Sequence, residues 1–164
     1  MGLDYKGRIP MFVLRLVALA STLTATLIMV TSHDSAEFFS IKFEADYKKS
    51  PAFNYFVIMN AIACGYTFIL SFLPAKNSYG HFVLVLDLVM TLLLVSSISA
   101  CLAIGQVGKN GNSNAGWLPI CGQVPKFCDH VTAALIAGFV ASIIYLIIVI
   151  YSLHNLINLL TLKS

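Results

Sequence analysis

Four apolar runs, each long enough to cross a bilayer, constrain this chain more than any other feature of its sequence. They cover residues 10–31, 52–73, 81–104 and 131–151. A membrane-spanning helix needs about 20 mainly apolar residues, and each run meets that length. The sequence therefore predicts an all-α membrane protein, folded as an antiparallel bundle of four transmembrane helices.

The composition agrees with this class. Of the 164 residues, 59% are hydrophobic and only 10% are charged, whereas soluble domains are roughly 45–50% apolar and about 25% charged. The outer segments 32–51 and 105–130 are too short to hold a soluble domain, so residues 1–164 form a single four-span membrane domain. The net charge of +3 is too small to argue for nucleic acid as a partner, and no basic stripe occurs. We therefore expect the lipid bilayer, and no nucleic acid, as a partner.

The charges that flank the first run indicate how the chain is oriented. With four spans, both termini lie on the same side, and Lys and Arg divide evenly between the two sides. The first helix usually dominates, and Lys6 and Arg8 precede it while Asp34 and Glu37 follow it. We therefore expect both termini in the cytoplasm and the two long segments outside.

Two cysteines in the second outer segment support the same orientation. Cys121 and Cys128 have six residues between them, so they do not form the C-x-x-C motif of thiol oxidoreductases. Such a pair is expected to form a disulfide in an oxidising space. The sequence predicts that this pair is joined outside the cell.

Two ionisable residues lie inside apolar runs. Arg15 is five residues past Pro10 and Asp87 is six past His81, so each lies roughly 7–9 Å inside the same membrane edge. Their equal depth permits a bidentate ion pair. We interpret the two residues as a structural ion pair. The alternative is a small channel, transporter or transporter accessory subunit that uses Asp87, because intramembrane carboxylates can mark transport paths.

Small residues recur at helical spacing in the fourth run. Ala134, Gly138 and Ser142 lie four residues apart, a pattern that lets helices approach closely in lipid. The second run carries a shorter pair of this kind, Ala61 and Gly65. The sequence leaves open whether the partner of the fourth run is another helix of the same chain or a second molecule.

Residues 32–51 also allow two interpretations. Aromatic and charged residues alternate along this segment, which is typical of an interfacial linker with aromatic anchors. The other interpretation is a surface that binds a partner.

The motifs of common enzymes and metal sites are absent from the sequence. The four histidines lie at four different helix ends, with no second ligand at a useful spacing. There is no G-x-S-x-G, no H-E-x-x-H and no phosphate-binding glycine loop. We therefore predict that the protein is not an enzyme and has no catalytic residue, no cofactor and no metal site.

Three stretches resemble a known plant family. They are residues 50–67, the Asp-centred residues 85–90, and residues 104–128. The most specific part is the motif G-K-x-G-N that begins at Gly108 and Lys109, followed by Trp117 and then by Phe127 next to Cys128. These stretches resemble the Casparian strip membrane domain protein-like (CASP-like) family, most closely its first subfamily. That family is distantly related to MARVEL domains.

The resemblance implies further properties. Members of that family are four-span plasma-membrane proteins with cytoplasmic termini, an arginine in the first helix and an aspartate in the third; Arg15 and Asp87 match these by position. The family is linked to homodimers and heterodimers and to immobile scaffolds that organise a membrane subdomain and local cell-wall modification. The expected partners are therefore the protein itself, related family members and cell-wall-modifying proteins outside.

Overall fold

The computed structural model describes residues 3–38, 41–72 and 80–163, and it places four long helices in this chain. These helices are α1 (Leu3–Val30), α2 (Pro51–Phe72), α3 (Gly80–Asn110) and α4 (Pro125–Lys163). Each is long and apolar enough to cross a membrane. The predicted fold class, an all-α four-span membrane bundle, is confirmed.

The helices extend beyond the apolar runs from which they were predicted. α1 begins at Leu3 rather than near Pro10, so Pro10 lies inside the helix, where it cannot donate the usual backbone hydrogen bond. α3 continues through Asn110, and α4 starts at Pro125 and runs to Lys163, so both enter the predicted outer segment 105–130. Hydropathy marks the part of a helix that lies in lipid, whereas backbone hydrogen bonds continue the helix into water.

A short β-hairpin lies between α1 and α2, in the segment for which the sequence predicts an interfacial linker or a partner-binding surface. Its strands are β1 (His33–Phe38) and β2 (Ile41–Asp46). They pair antiparallel, with His33 opposite Asp46 and Phe38 opposite Ile41. The hairpin marks one end of the bundle, here called the hairpin end; the opposite end, where α1 begins and α4 finishes, is the terminal end.

The four helices form a closed ring of neighbours. α1 packs against α2 and α4, and α3 also packs against α2 and α4. Within the described part of the chain, α1 and α3 approach each other less closely, so they lie diagonally across the bundle. Contacts between them therefore require long side chains that cross the interior.

Two groups of buried apolar side chains form the core. One lies toward the terminal end and includes Ala18, Ala63, Leu94, Ile144 and Ile148. The other lies toward the hairpin end and includes Met29, Phe53, Phe56, Ile98, Phe127, Val131 and Leu135. Many large apolar side chains on the outer faces remain exposed, including Phe12, Ile62, Leu92 and Ile147. These outer faces are the ones suited to contact lipid.

Candidate functional site

The two membrane-embedded charges meet across the diagonal of the bundle. Arg15 Nη1 donates to Asp87 Oδ1 at 3.2 Å, and Arg15 Nη2 donates to Oδ2 at 2.8 Å. Arg15 is 8% exposed and Asp87 is fully buried. Two parallel hydrogen bonds are the strong geometry for this kind of pair. The ion pair thus connects α1 to α3 through two charges that are buried inside the bundle.

Tyr66 of α2 completes this cluster. Its hydroxyl donates to Asp87 Oδ1 at 2.8 Å and lies 3.4 Å from the carbonyl oxygen of Val83. Both carboxylate oxygens of Asp87 therefore accept hydrogen bonds, one of them twice. A buried carboxylate needs such partners to offset its desolvation. Sequence reasoning missed Tyr66, although its place near the inner end of the second apolar run, level with Asp87, is a usable signal.

The residue after Tyr66 makes a second polar contact, this time with α4. The Thr67 hydroxyl is hydrogen-bonded to the hydroxyl of Tyr145, and Tyr145 also donates to the carbonyl oxygen of Ala63 at 2.9 Å. Thr67 and Tyr145 are both fully buried. Tyr66 and Thr67 thus connect α2 to α3 and to α4 at one level, so polar contacts link all four helices there. We call Arg15, Tyr66, Thr67, Asp87 and Tyr145 the polar layer.

Toward the hairpin end, polar contacts between helices are sparser. Cys101 Sγ lies 3.1 Å from the carbonyl oxygen of Ala52, to which it donates. Asn60 is fully buried, and its Nδ2 donates to the carbonyl oxygen of Phe56 at 2.9 Å. Its Oδ1 is the one buried side-chain oxygen or nitrogen atom without a hydrogen-bond partner in the described part of the chain. These groups sit among apolar side chains and do not extend the polar layer.

The segment between α3 and α4, residues 111–124, is here called the outer loop. Cys121 in this loop is disulfide-bonded to Cys128 in α4, with the Cα atoms 5.7 Å apart. The carbonyl oxygen of Gly108 accepts hydrogen bonds from the N–H groups of Ile120 at 2.9 Å and Cys121 at 3.2 Å. The end of the loop is therefore tied both to α3 and to α4.

Glycine and asparagine in the G-K-x-G-N motif shape the start of this loop. Gly111 has φ of 68°, and a Cβ there would lie 2.6 Å from the carbonyl oxygen of Trp117. Asn112 and Trp117 exchange two backbone hydrogen bonds of 2.8 and 2.9 Å. Asn112 Oδ1 also accepts from the N–H of Ala115 at 3.3 Å. Only glycine fits position 111, because the turn needs positive φ and leaves no room for a side chain.

The predicted outer-segment motif separates into exposed and buried side chains. Trp117 is 59% exposed and the adjacent Leu118 is 80% exposed. Phe127 is buried, and its ring packs edge-on against that of Phe53 at 5.9 Å. Lys109 is exposed at the end of α3. Phe127 thus belongs to the core, while the outer loop presents Trp117 and Leu118 as neighbouring apolar side chains.

The small residues of α4 pack inside the chain. Ala134, Gly138 and Ser142 are all buried, and a Cβ on Gly138 would lie 2.7 Å from two ring atoms of Phe56 in α2. Gly65 of α2 behaves differently, because it is exposed and a Cβ there would meet nothing within 4 Å. The question left open by the sequence is answered for α4: its small-residue face contacts another helix of the same molecule.

In the part of the chain that the structure describes, no three His, Cys, Asp or Glu side chains come close enough to hold a metal ion. The polar layer itself offers fixed partners rather than open coordination positions, since Asp87 is already bonded to Arg15 and Tyr66.

The fold and these contacts define a four-span helical membrane protein with a diagonal arginine–aspartate pair and a disulfide-tied outer loop. The family model of the Casparian strip membrane protein domain matches residues 4–144. The chain belongs to this family.

Curated relatives agree with this assignment. The chain is 56% identical to CASP-like protein 1C1 of Vitis vinifera, over 92% of this chain and 95% of that protein. It is also 56% identical to CASP-like protein 1C1 of Arabidopsis thaliana, over 92% of both chains. Identity to CASP-like protein 1C3 of Populus trichocarpa is 53%, over 92% of this chain and 88% of that protein. The resemblance to the first CASP-like subfamily is confirmed. No solved structure matches the chain.

Proposed function

We propose that this protein is a non-enzymatic scaffold of the plasma membrane, with both termini in the cytoplasm. In this role it self-associates, or associates with related family members, and organises a membrane subdomain that supports local modification of the cell wall. The membership in a family named for a membrane domain supports the proposal.

One structural observation supports the scaffold role most directly. The side chains of Trp117 and Leu118 are exposed on the outer loop, and the backbone of this loop is held at both ends. The disulfide and the hydrogen bonds to Gly108 fix one end of the loop, and the Asn112–Trp117 pair fixes the other. Exposed aromatic side chains on ordered backbone are typical anchors of protein interfaces, because they bury a large area at a small cost in conformational entropy.

The polar layer weighs against transport through Asp87. Its carboxylate accepts three hydrogen bonds from Arg15 and Tyr66 inside the bundle, so a passing ion or proton would have to displace these partners. Flux into liposomes that depends on Asp87 and is lost in Asp87→Asn, with the fold intact, would instead favour the transport hypothesis.

The scaffold role is tested with a fluorescently tagged chain in plant cells. We expect spots that bleach in several steps and recover slowly after photobleaching, because assembled copies diffuse slowly. Freely diffusing spots that bleach in one step would contradict the proposal.

A pair of double variants tests the part played by the outer loop. Trp117→Ser with Leu118→Ser should raise the mobile fraction, since the loop then loses its apolar contacts. Leu153→Ser with Ile157→Ser is the matched control: it also removes two exposed apolar side chains, but from the terminal end of α4. If both double variants change the mobile fraction equally, the outer loop has no special role.

A further inference from the structure

A groove of about 610 Å³ lies between α3 and α4 toward the hairpin end of the bundle. Its size falls within the range of roughly 300–1,000 Å³ that is usual for sites that bind small molecules. Most of its lining is apolar and includes Ile98 and Leu102 of α3 and Ile136 and Phe139 of α4. Leu102, Ile136 and Phe139 are exposed. The groove is therefore apolar and open on the outer face of the bundle, the face suited to contact lipid.

The length of the groove matches one leaflet of a bilayer. On α3 its lining extends from Ile98 to Lys109, and on α4 it includes Val140 and Asp129. On each helix the charged residue is separated from the apolar one by eleven positions, or about 16 Å at 1.5 Å per residue. Half of a hydrocarbon core of about 30 Å is close to this length. With its charged end at the headgroup level, the groove would reach about the middle of the membrane.

Charges of both signs line the outer end of the groove. Lys109 contributes an ammonium group and Asp129 a carboxylate, and both residues are exposed. The ion pair between Arg15 and Asp87 involves neither residue, so the exposed Lys109 and Asp129 have their charges available to a ligand. A zwitterionic phospholipid has a phosphate for Lys109 and an ammonium group for Asp129. An anionic lipid would be repelled by Asp129, and a sterol hydroxyl would satisfy neither charge fully.

Two glycines of α3 keep space open in the groove. A Cβ on Gly105 would lie 3.9 Å from Leu135 Cδ1, and one on Gly108 would lie 3.7 Å from Ile120 Cγ1. These are ordinary contact distances, so a methyl group would fit at either position. A larger side chain at position 105 would occupy the groove itself.

We propose that this groove binds one acyl chain of a bilayer phospholipid, whose zwitterionic headgroup lies between Lys109 and Asp129. The lipid would fill the gap between α3 and α4 on the membrane side. This inference does not depend on self-association.

The proposal is tested with the full chain in nanodiscs that contain equal amounts of phosphatidylcholine and phosphatidylglycerol. After extraction into mild detergent, native mass spectrometry counts the lipids that stay bound. We expect one retained phosphatidylcholine per chain, preferred over phosphatidylglycerol by about fivefold, the ratio expected for one charge contact near the membrane surface.

Two α3 variants distinguish the groove from the general lipid surface. Gly105→Leu should lose the retained lipid, while Gly105→Ala should keep it. Ala103→Leu is the matched control, because Ala103 is exposed on the same helix and does not line the groove. Equal retention by Gly105→Leu and Ala103→Leu, both shown to be folded by thermal unfolding, would overturn the proposal.

The charged rim is tested separately, with variants that leave the apolar groove unchanged. Lys109→Gln combined with Asp129→Asn should abolish the preference for phosphatidylcholine, whereas Lys126→Gln, outside the groove lining, should preserve it. An unchanged preference in the double variant would overturn the assignment of the headgroup. The choice of occupant would be overturned by either of two results. One is that an equal amount of sterol displaces the phospholipid. The other is a dimer without bound lipid that dissociates in Gly105→Leu.

Discussion

At the scale of single residues, the buried Arg15–Asp87 pair is the contact that most constrains how the helices meet. Among the described residues α1 and α3 approach each other less closely than neighbouring helices do, and the pair spans the interior between them. A buried ion pair adds little net stability, because desolvation opposes the attraction. Replacing only one of the two residues is strongly destabilising, however, because the other charge then stays buried without a partner. We therefore expect the pair to specify the register of α1 against α3 more than it stabilises the bundle.

Single and paired substitutions of Arg15 and Asp87 should have opposite outcomes. Arg15→Gln or Asp87→Asn leaves one unpaired buried charge and should lower the free energy of unfolding by about 3–5 kcal/mol. Combining Arg15→Asp with Asp87→Arg should recover much of this loss, because the two positions lie at equal depth. The measurement is thermal unfolding in detergent together with delivery to the cell surface. If the exchanged pair is as unstable as the single variants, the pair has a role beyond mutual neutralisation.

At the scale of the elements, glycine positions on two helices show which faces are used for packing inside the chain. Gly138 of α4 faces the buried ring of Phe56, whereas Gly65 of α2 faces open space. The two residues occupy similar apolar helices and differ in what surrounds them. The contact between the Phe56 ring of α2 and the backbone of α4 therefore depends on the absence of a side chain at position 138.

The same substitution at these two glycines should have opposite effects. Gly138→Ala places a methyl group against Phe56 and should destabilise by about 1–3 kcal/mol through overpacking. Gly65→Ala meets no neighbour and should stabilise by up to about 1 kcal/mol through helix propensity. Thermal unfolding of both variants in one detergent measures the difference.

A second-site change identifies the cause of the Gly138→Ala effect. Phe56→Leu removes the ring atoms that the new methyl group would meet, so it should cost less in the Gly138→Ala background than in the wild type. Additive effects of the two substitutions would show that the strain arises elsewhere.

The disulfide connects the outer loop to the first turn of α4, and its loss should be measurable. Replacing Cys121 and Cys128 together by serine should lower stability by about 2–3 kcal/mol, the chain-entropy value for a short closed loop. Cys64→Ser is the control, because Cys64 is a free cysteine in α2, and we expect a small effect there. Alkylation of Cys121 and Cys128 in the denatured but unreduced protein would contradict the bond.

At the scale of the whole molecule, the helices place the hairpin and the outer loop at one end of the bundle and both termini at the other. This arrangement follows from four spans joined in sequence. The proposed scaffold role requires the loop end to face the cell wall. The orientation in the membrane therefore decides whether Trp117 and Leu118 can contact partners outside.

Labelling of intact cells tests this orientation. An amine reagent that cannot cross membranes should modify Lys109 and Lys126, and Lys109→Arg with Lys126→Arg should reduce the signal. An epitope tag after Ser164 should bind antibody only after permeabilisation, because the C-terminus is expected in the cytoplasm. Antibody binding to the tag on intact cells would reverse the proposed topology.

Part of this architecture follows from local sequence patterns. Apolar runs predict four spans because each helix satisfies its own backbone in lipid, and the equal depths of Arg15 and Asp87 can be counted from the same runs. The period-two alternation of Ile41, Phe43 and Ala45 with charged residues is likewise a strand signal, but aromatic and charged residues in an outer segment also fit an interfacial linker. The hairpin was missed for that reason.

Patterns within single segments are enough to assign the class of protein and the number of spans, and to identify residues that are chemically suited to pair. Three other features depend on how the helices pack together: Tyr66 joins the charge pair, Gly138 meets Phe56 in the same molecule, and α3 and α4 leave a groove between them. The physical reason is that hydropathy and spacing are properties of one segment, whereas rotation of each helix about its axis is set by side-chain packing against its neighbours. Two helices with similar sequence patterns can therefore bury a glycine in one case and expose it in the other.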